Sequence, residues 1–237
     1  MRRARLNRRF ALVSVLSAVL LTALLLTAFG GGRAAPRALA LDPAASAQTK
    51  PFPQFLAMRG AVRVQMPIAQ GRHTAIGYHA ASGGALTLAP LGHQGNEGVL
   101  QRAFHKIFGG GGGQPTWYRL SNGATSALDV GAAPGTDVYA PVDGTVVGIT
   151  PYVVAGHRFG SRIDIQPQSA PSLLVSLTQL RADPALAVGS NVVSGATRGG
   201  VVADLSRVER QALARYTNDA GDHVSVELRP AVQLVLN

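Results

Sequence analysis

Along the chain, apolar positions change period three times. Phe10 to Phe29 are apolar apart from Ser14, Ser17, Thr22 and Thr27, and at ~1.5 Å rise such a run spans about 30 Å as a helix, the thickness of a bilayer core. Val62-Arg63-Val64-Gln65-Met66 alternates apolar and polar and predicts a strand. His73 to His79 and Ala85 to Leu88 are further short strand candidates, parted by Gly83-Gly84. Asn96 can cap a helix whose apolar face would be Val99, Leu100, Ala103, Phe104, Ile107 and Phe108. From Trp117 onward short apolar runs are separated by Gly, Pro and Asp, the pattern of a β-rich domain. Within it, Leu205, Val208, Ala212, Leu213 and Tyr216 recur at helical spacing, with Ser206 and Glu209 as a capping box, and predict a helix ending near Asn218.

These elements divide the chain into 1–33, a transmembrane signal anchor or signal peptide; 34–53, an Ala-, Pro- and Ser-rich disordered linker; 54–113, a small α+β segment ending in the glycine run Gly109 to Gly113; and 114–237, a β domain. Composition then changes the reading of charge. The net charge is +10, but Arg2, Arg3, Arg5, Arg8, Arg9, Arg33 and Arg37 fall in the first 37 residues with no acid among them. Without those seven, 15 basic residues face the 12 acids, close to balance. A nucleic-acid binder keeps its basic stripe on the folded domain, so that class is set aside. An arginine flank before an apolar run instead predicts a cytoplasmic N-terminus and an extracytoplasmic remainder. The run is longer than a usual signal peptide core, which favours a single-pass membrane anchor, while Ala38-Leu39-Ala40 would serve as a cleavage site in a secreted form. There is no cysteine, so packing alone holds the fold.

His73, His79, His93 and His105 are spaced by 6, 14 and 12 residues. None of these is a ligand spacing, and the four read as loop or surface histidines. The glycine run lacks the Gly-Lys-Ser/Thr that would make it a phosphate loop, and reads as a linker.

The distinctive stretch runs from Ala127-Leu128-Asp129-Val130-Gly131 through Ala133-Pro134-Gly135-Thr136 to Val138-Tyr139-Ala140-Pro141-Val142-Asp143-Gly144-Thr145-Val146. It predicts a strand, a Pro134-Gly135 turn, a short strand, and a hairpin turn at Asp143-Gly144. Leu173 to Leu180, the turn Val188 to Gly195, and His223-Val224-Ser225-Val226-Glu227 follow. In that order, over roughly residues 120 to 230, these blocks resemble the lysostaphin/LytM-type zinc endopeptidases of peptidoglycan. Biotinyl and lipoyl carriers share the A-P-x-x-G-x-V hairpin, but they need a lysine on a turn, and the two lysines, Lys50 and Lys106, lie outside the domain.

The resemblance implies a mainly β fold, an antiparallel sheet or sandwich of the LytM (duplicated-hybrid-motif-like) type with an inserted helix. It also implies a site. The family's first ligand histidine falls on Thr125, its Asp ligand on Asp129, its second ligand histidine on Ser225, and its two catalytic histidines on Gln179 and His223. One of three ligands and one of two catalytic histidines are kept, so zinc and catalysis are expected to be lost. Asp129, Gln179, His223, Ser225 and Glu227 are then expected to line a polar groove, with Gln179 and His223 as vestiges of catalysis. The function expected is an inactive cell-envelope module that binds peptidoglycan or regulates a cell-wall hydrolase. The alternative is a divergent metallohydrolase with a relocated metal site at Asp129, His223 and His157. The inserted helix would either cover the groove or pack on the sheet's edge.

The N-terminal pattern makes a first prediction. A reporter active only in the cytoplasm, fused after Asn237, is expected to be silent; activity from that fusion would remove the anchor reading.

Overall fold

Strand alternation settles which side of the sheet is core. The structure, a computed structural model, describes residues 50–96, 114–154, 156–206 and 211–231. These lie in the unit Gln48–Asn237. The expected membrane segment 1–33, most of the linker 34–53 and the expected helix over 99–108 fall outside the described residues, and among those described no helix is long and apolar enough to cross a membrane.

The described chain is mainly β, with no α-helix among the described residues. Its spine is antiparallel: β9 (Gly144–Val154), β10 (His157–Pro167), β11 (Leu173–Ala182), β14 (His223–Pro230), β7 (Ala127–Ala132) and β3 (His73–His79), in that spatial order. Beyond β3 come β6 (Thr116–Arg119) and β5 (His93–Gln94), both paired in parallel. At the other edge β12 (Asn191–Val192) joins β9. The end of β11 pairs with β13 (Arg198–Val202), which also pairs with β8 (Asp137–Tyr139). A separate three-stranded sheet holds β2 (Val62–Gln65), β1 (Phe55–Arg59) and β4 (Ala89–Pro90).

In β10 the buried positions are Ser161, Ile163, Ile165 and Pro167, with Arg162, Asp164 and Gln166 between them. The register carries the apolar set across the sheet as Val175 and Leu177, Val224, Val226 and Leu228, Leu128 and Val130, then Ile76 and Tyr78. The small sheet contributes Leu56, Val62, Val64 and Met66 to the same core. The two sheets are also hydrogen-bonded: the Tyr78 hydroxyl donates to the Leu56 carbonyl at 2.7 Å, and the Gln65 amide to the Pro141 carbonyl at 2.8 Å. Residues 54–96 therefore add strands to the domain's sheet and side chains to its core.

Three expectations need correction. Ala85 to Leu88 is not a strand: positive-φ Gly83 and Gly84 bend the chain into it, and its amides go to different partners, Leu86 to Leu228 and Leu88 to Thr125. Asp143-Gly144 does not close a hairpin, because β8 pairs with β13 and not with β9; Asp143 instead accepts from the Ser194 amide (2.7 Å) and hydroxyl (2.9 Å). Asn96 accepts from the Arg119 amide and donates to its carbonyl; the helix it was expected to cap lies outside the described residues. In the inserted segment the described residues form only a four-residue 3-10 helix, Ala212–Arg215, labelled η1. Ser206 turns back to Asp204 at 2.6 Å rather than forward as a cap; Glu209 lies outside the described residues.

Tyr78→Phe removes the hydroxyl that satisfies the buried Leu56 carbonyl. It is expected to cost ~1–3 kcal/mol, read as a lower urea midpoint with an unchanged slope. An unchanged midpoint would show that the bond does not tie the two sheets.

Candidate functional site

Opposite the core, the same register produces a polar face. On β7 the residues between the apolar ones are Ala127, Asp129 and Gly131, and all six positions of this strand are buried. Ser225 of β14 lies directly across from Asp129, and His223 across from Gly131. On the other side, Gly77 of β3 lies across from Asp129 and His79 across from Ala127. Asp129 is therefore approached from both neighbouring strands. Its Oδ2 is 3.2 Å from His79 Nε2 and 3.6 Å from His223 Nε2, and Ser225 hydrogen-bonds it as well.

Both rings are held by their other nitrogen. His79 Nδ1 is 3.1 Å from the Ala80 carbonyl and His223 Nδ1 is 2.8 Å from the Gly221 carbonyl. A carbonyl only accepts, so each Nδ1 carries the proton. A neutral ring would then turn its Nε2 lone pair toward the carboxylate. A protonated ring turns a donor there. Accordingly the hydrogen bond to Asp129 raises His79 to about 9, against the opposing pull of burial. Burial pushes Asp129 up, but the His223 charge, the His79 hydrogen bond and charge, and the Ser225 hydrogen bond together hold it below the ordinary carboxylate range.

Gln179 sits where β11 changes partner, pairing with β14 up to Thr178 and with β13 from Leu180. The switch puts it at φ 62°, and it is the non-glycine residue with positive φ among those described, a conformation costing on the order of 1–3 kcal/mol. Its carbonyl accepts from the Ala203 amide. Its Oε1 and the Oδ1 of Asp129 are both buried without a hydrogen-bond partner. Glu227 is on the same face, ion-paired to Arg229 with Arg229 Nε at 3.0 Å.

The inserted segment reaches this face. Leu213 of η1 is fully buried, and its methyls would lie 2.9 Å from a Cβ at Gly77 and 2.7 Å from one at Gly131. It fills a hollow that exists because both residues are glycine. The end of η1 is held to β6, where Tyr216 stacks on Tyr118 at 4.3 Å between ring centroids.

Thus the structure gathers Asp129, His223 and Ser225, and places Gln179 and Glu227 on neighbouring positions of the same face. It does not bring His157 to them. That residue is exposed near the tip of the β9–β10 hairpin, across from Val154 and four residues beyond the Ser161–Leu180 pair, roughly 13 Å along the strand. Sequence reading took His79 as one of four loop or surface histidines; it lies on β3 with its Nε2 against Asp129. Its only signal is a pairing of β3 with β7, which no local spacing reveals.

The chain is similar to two solved structures. One is titled a novel M23 metalloprotease, pseudoalterin, from the deep sea: 16% identity, covering 73% of this chain and 74% of that one, TM-score 0.36. The other is Helicobacter pylori Csd3: 16% identity, covering 78% of this chain but only 34% of that one, TM-score 0.32. No family model and no curated protein matches. Likenesses of this size leave the chemistry to be read from the site itself.

The ion pair sets a pH dependence. A folded-state value raised from 6.5 to about 9 gives stability that is fully present below pH 6.5 and lost as pH rises through 9. The urea midpoint is expected to fall between pH 6.5 and 9.5 in the wild type and to fall less in His79→Gln. Parallel pH profiles for the two proteins would mean that His79 is not charged in the folded state.

Proposed function

We propose that the chain is a cell-envelope module of the lysostaphin/LytM-type fold that binds peptidoglycan peptide on the polar face of its sheet and does not cleave it. The observation that carries this reading is the state of the ligand positions. Thr125 Oγ1 donates to the Leu88 carbonyl at 2.6 Å, and Ser225 is hydrogen-bonded to Asp129. Two hydroxyls in internal bonds do not replace two imidazoles as zinc ligands, so the family's zinc set does not fit these residues. Asp129, the one ligand kept, faces His79 and His223 instead.

The polar face remains suited to a peptide. Thr178, Glu227, Arg162 and Asp164 are partly exposed along β11, β14 and β10, and carry hydrogen-bond donors and acceptors on that face. The arginine flank and apolar run at the N-terminus support an anchored, extracytoplasmic module, or a secreted one if cleavage follows Ala40. A cell-wall hydrolase docking on the same face is the other partner of that compartment.

A divergent metallohydrolase is favoured by one observation, the convergence of two Nε2 atoms on one carboxylate oxygen, an N2O donor set of a kind zinc accepts. The ligands would be Asp129, His223 and His79, not His157. Against it stand Thr125 and Ser225, hydroxyls held in internal bonds at two of the family's three ligand positions.

Two measurements test the proposal. Purified protein is expected to retain peptidoglycan sacculi in a pull-down, and Gln179→Ala with Glu227→Gln to reduce retention while stability stays within ~1 kcal/mol. Unchanged retention would take binding off this face. Elemental analysis is expected to find no stoichiometric zinc and peptide digests no cleavage; one zinc per chain, lost in Asp129→Ala and in His79→Ala, would favour the metallohydrolase.

A further inference from the structure

Beside Gln179 the sheet carries a second recess. A cleft of about 510 Å³ is lined by Arg158, Phe159, Gly160, Arg181, Ala203 and Asp204, among others. Ala203 is the residue whose amide binds the Gln179 carbonyl, so the cleft adjoins the polar face where β11 changes partner. Its wall depends on close backbone approach. Gly160, at φ 139°, lies so near β11 that a Cβ there would be 2.5 Å from the Leu180 carbonyl oxygen.

The cleft differs from the rest of the face in its arginines. Three nearby guanidiniums already have a carboxylate: Arg162 has Asp164 at 2.8 Å, Arg198 has Asp137 at 2.6 Å, and Arg229 has Glu227. Arg158 reaches only the Gly160 carbonyl, at 3.4 Å, and Arg181 is exposed without an ion pair among the described residues. The cleft's carboxylate, Asp204, is engaged by the Ser206 hydroxyl at 2.6 Å and amide at 3.2 Å. Two arginines against one acid leave the lining net positive. Phe159 adds an apolar wall. A guanidinium fork matches a carboxylate in shape as well as charge.

We propose that this cleft is a subsite for the free carboxylate end of a peptide, with Arg158 and Arg181 holding the carboxylate and Phe159 flanking the residue that bears it. The subsite rests on the reading of the polar face as a peptide groove. It gives that groove a direction: the peptide lies across β11 with its carboxyl end beyond Gln179, toward the β9–β10 hairpin.

The test uses the full chain and a pair of probes, N-acetyl-alanyl-alanine as the free acid and as its C-terminal amide, with inorganic phosphate as a third ligand, followed by calorimetry or by chemical-shift titration. The acid is expected to bind at least about tenfold more tightly than the amide, as charge-assisted bonds to two guanidiniums imply. Arg158→Gln and Arg181→Gln are each expected to shrink that ratio, and Arg63→Gln, on an exposed arginine of the separate three-stranded sheet, to leave it. Equal binding of acid and amide, no binding of either, a ratio untouched by Arg158→Gln and Arg181→Gln, or phosphate binding as tightly as the acid would each overturn the subsite. Sacculus retention separates this from the wider reading. Retention without acid preference sinks the subsite alone, and acid preference without retention sinks the peptidoglycan reading alone.

Discussion

The domain is organised around one buried charge. Asp129 lies on a strand with no exposed residue, and an ionised carboxylate there would cost several kcal/mol if left unpaired. Both strands flanking β7 answer that cost: β14 with the Ser225 hydroxyl and the His223 imidazole, β3 with the His79 imidazole. One of those answers comes from β3, so the upstream strand is needed electrostatically as well as for its ladder. Strand β3 thereby belongs to the same sheet as the strands after Gly113, while β1, β2 and β4 form the separate small sheet that shares its core. On the proposed reading, an imidazolium beside the carboxylate supplies the positive charge that the resemblance assigns to a metal ion.

What the sequence made legible follows from locality. Strands such as His73–His79, Leu173–Ala182 and His223–Pro230 show in the pattern because one face of each is apolar and the other is not. The Pro134-Gly135 turn shows because proline fixes its own φ and glycine takes a positive φ, 84° at Gly135, without steric cost. Pairings between distant strands leave no such mark. The sequence around Asp143-Gly144 fits a hairpin, yet β8 finds β13 some 60 residues later, where Arg198 meets Asp137. His79 was invisible for the same reason: its partner is fixed by register across two strands, not by spacing.

The inserted segment shows how an apolar period can mislead. Leu205 and Leu213 fit a helical face, but each is a separate anchor. Leu205 is buried with its amide on Asp222 at 2.9 Å, and Leu213 fills the hollow over Gly77 and Gly131. Apolar residues that plug distinct holes can share a helix's spacing without making one, and among the described residues only η1 is helical.

That plug also constrains what the face can do. Gly77 is Asp129's neighbour across the ladder and Gly131 is two residues along the strand, so Leu213 packs beside the carboxylate from above the sheet. With Asp129, His223 and Ser225 all buried, a ligand cannot lie directly over Asp129 while η1 is seated. The accessible polar positions are displaced toward β11 and β10, where Thr178, Arg162 and Asp164 are partly exposed and the arginine cleft opens past Gln179. On the proposed reading, a carboxylate covered by leucine leaves the accessible chemistry to one side, on a strip suited to holding a chain. The two glycines under Leu213 make this arrangement possible, since a Cβ at either one would come within 3 Å of the leucine and lift it off the face.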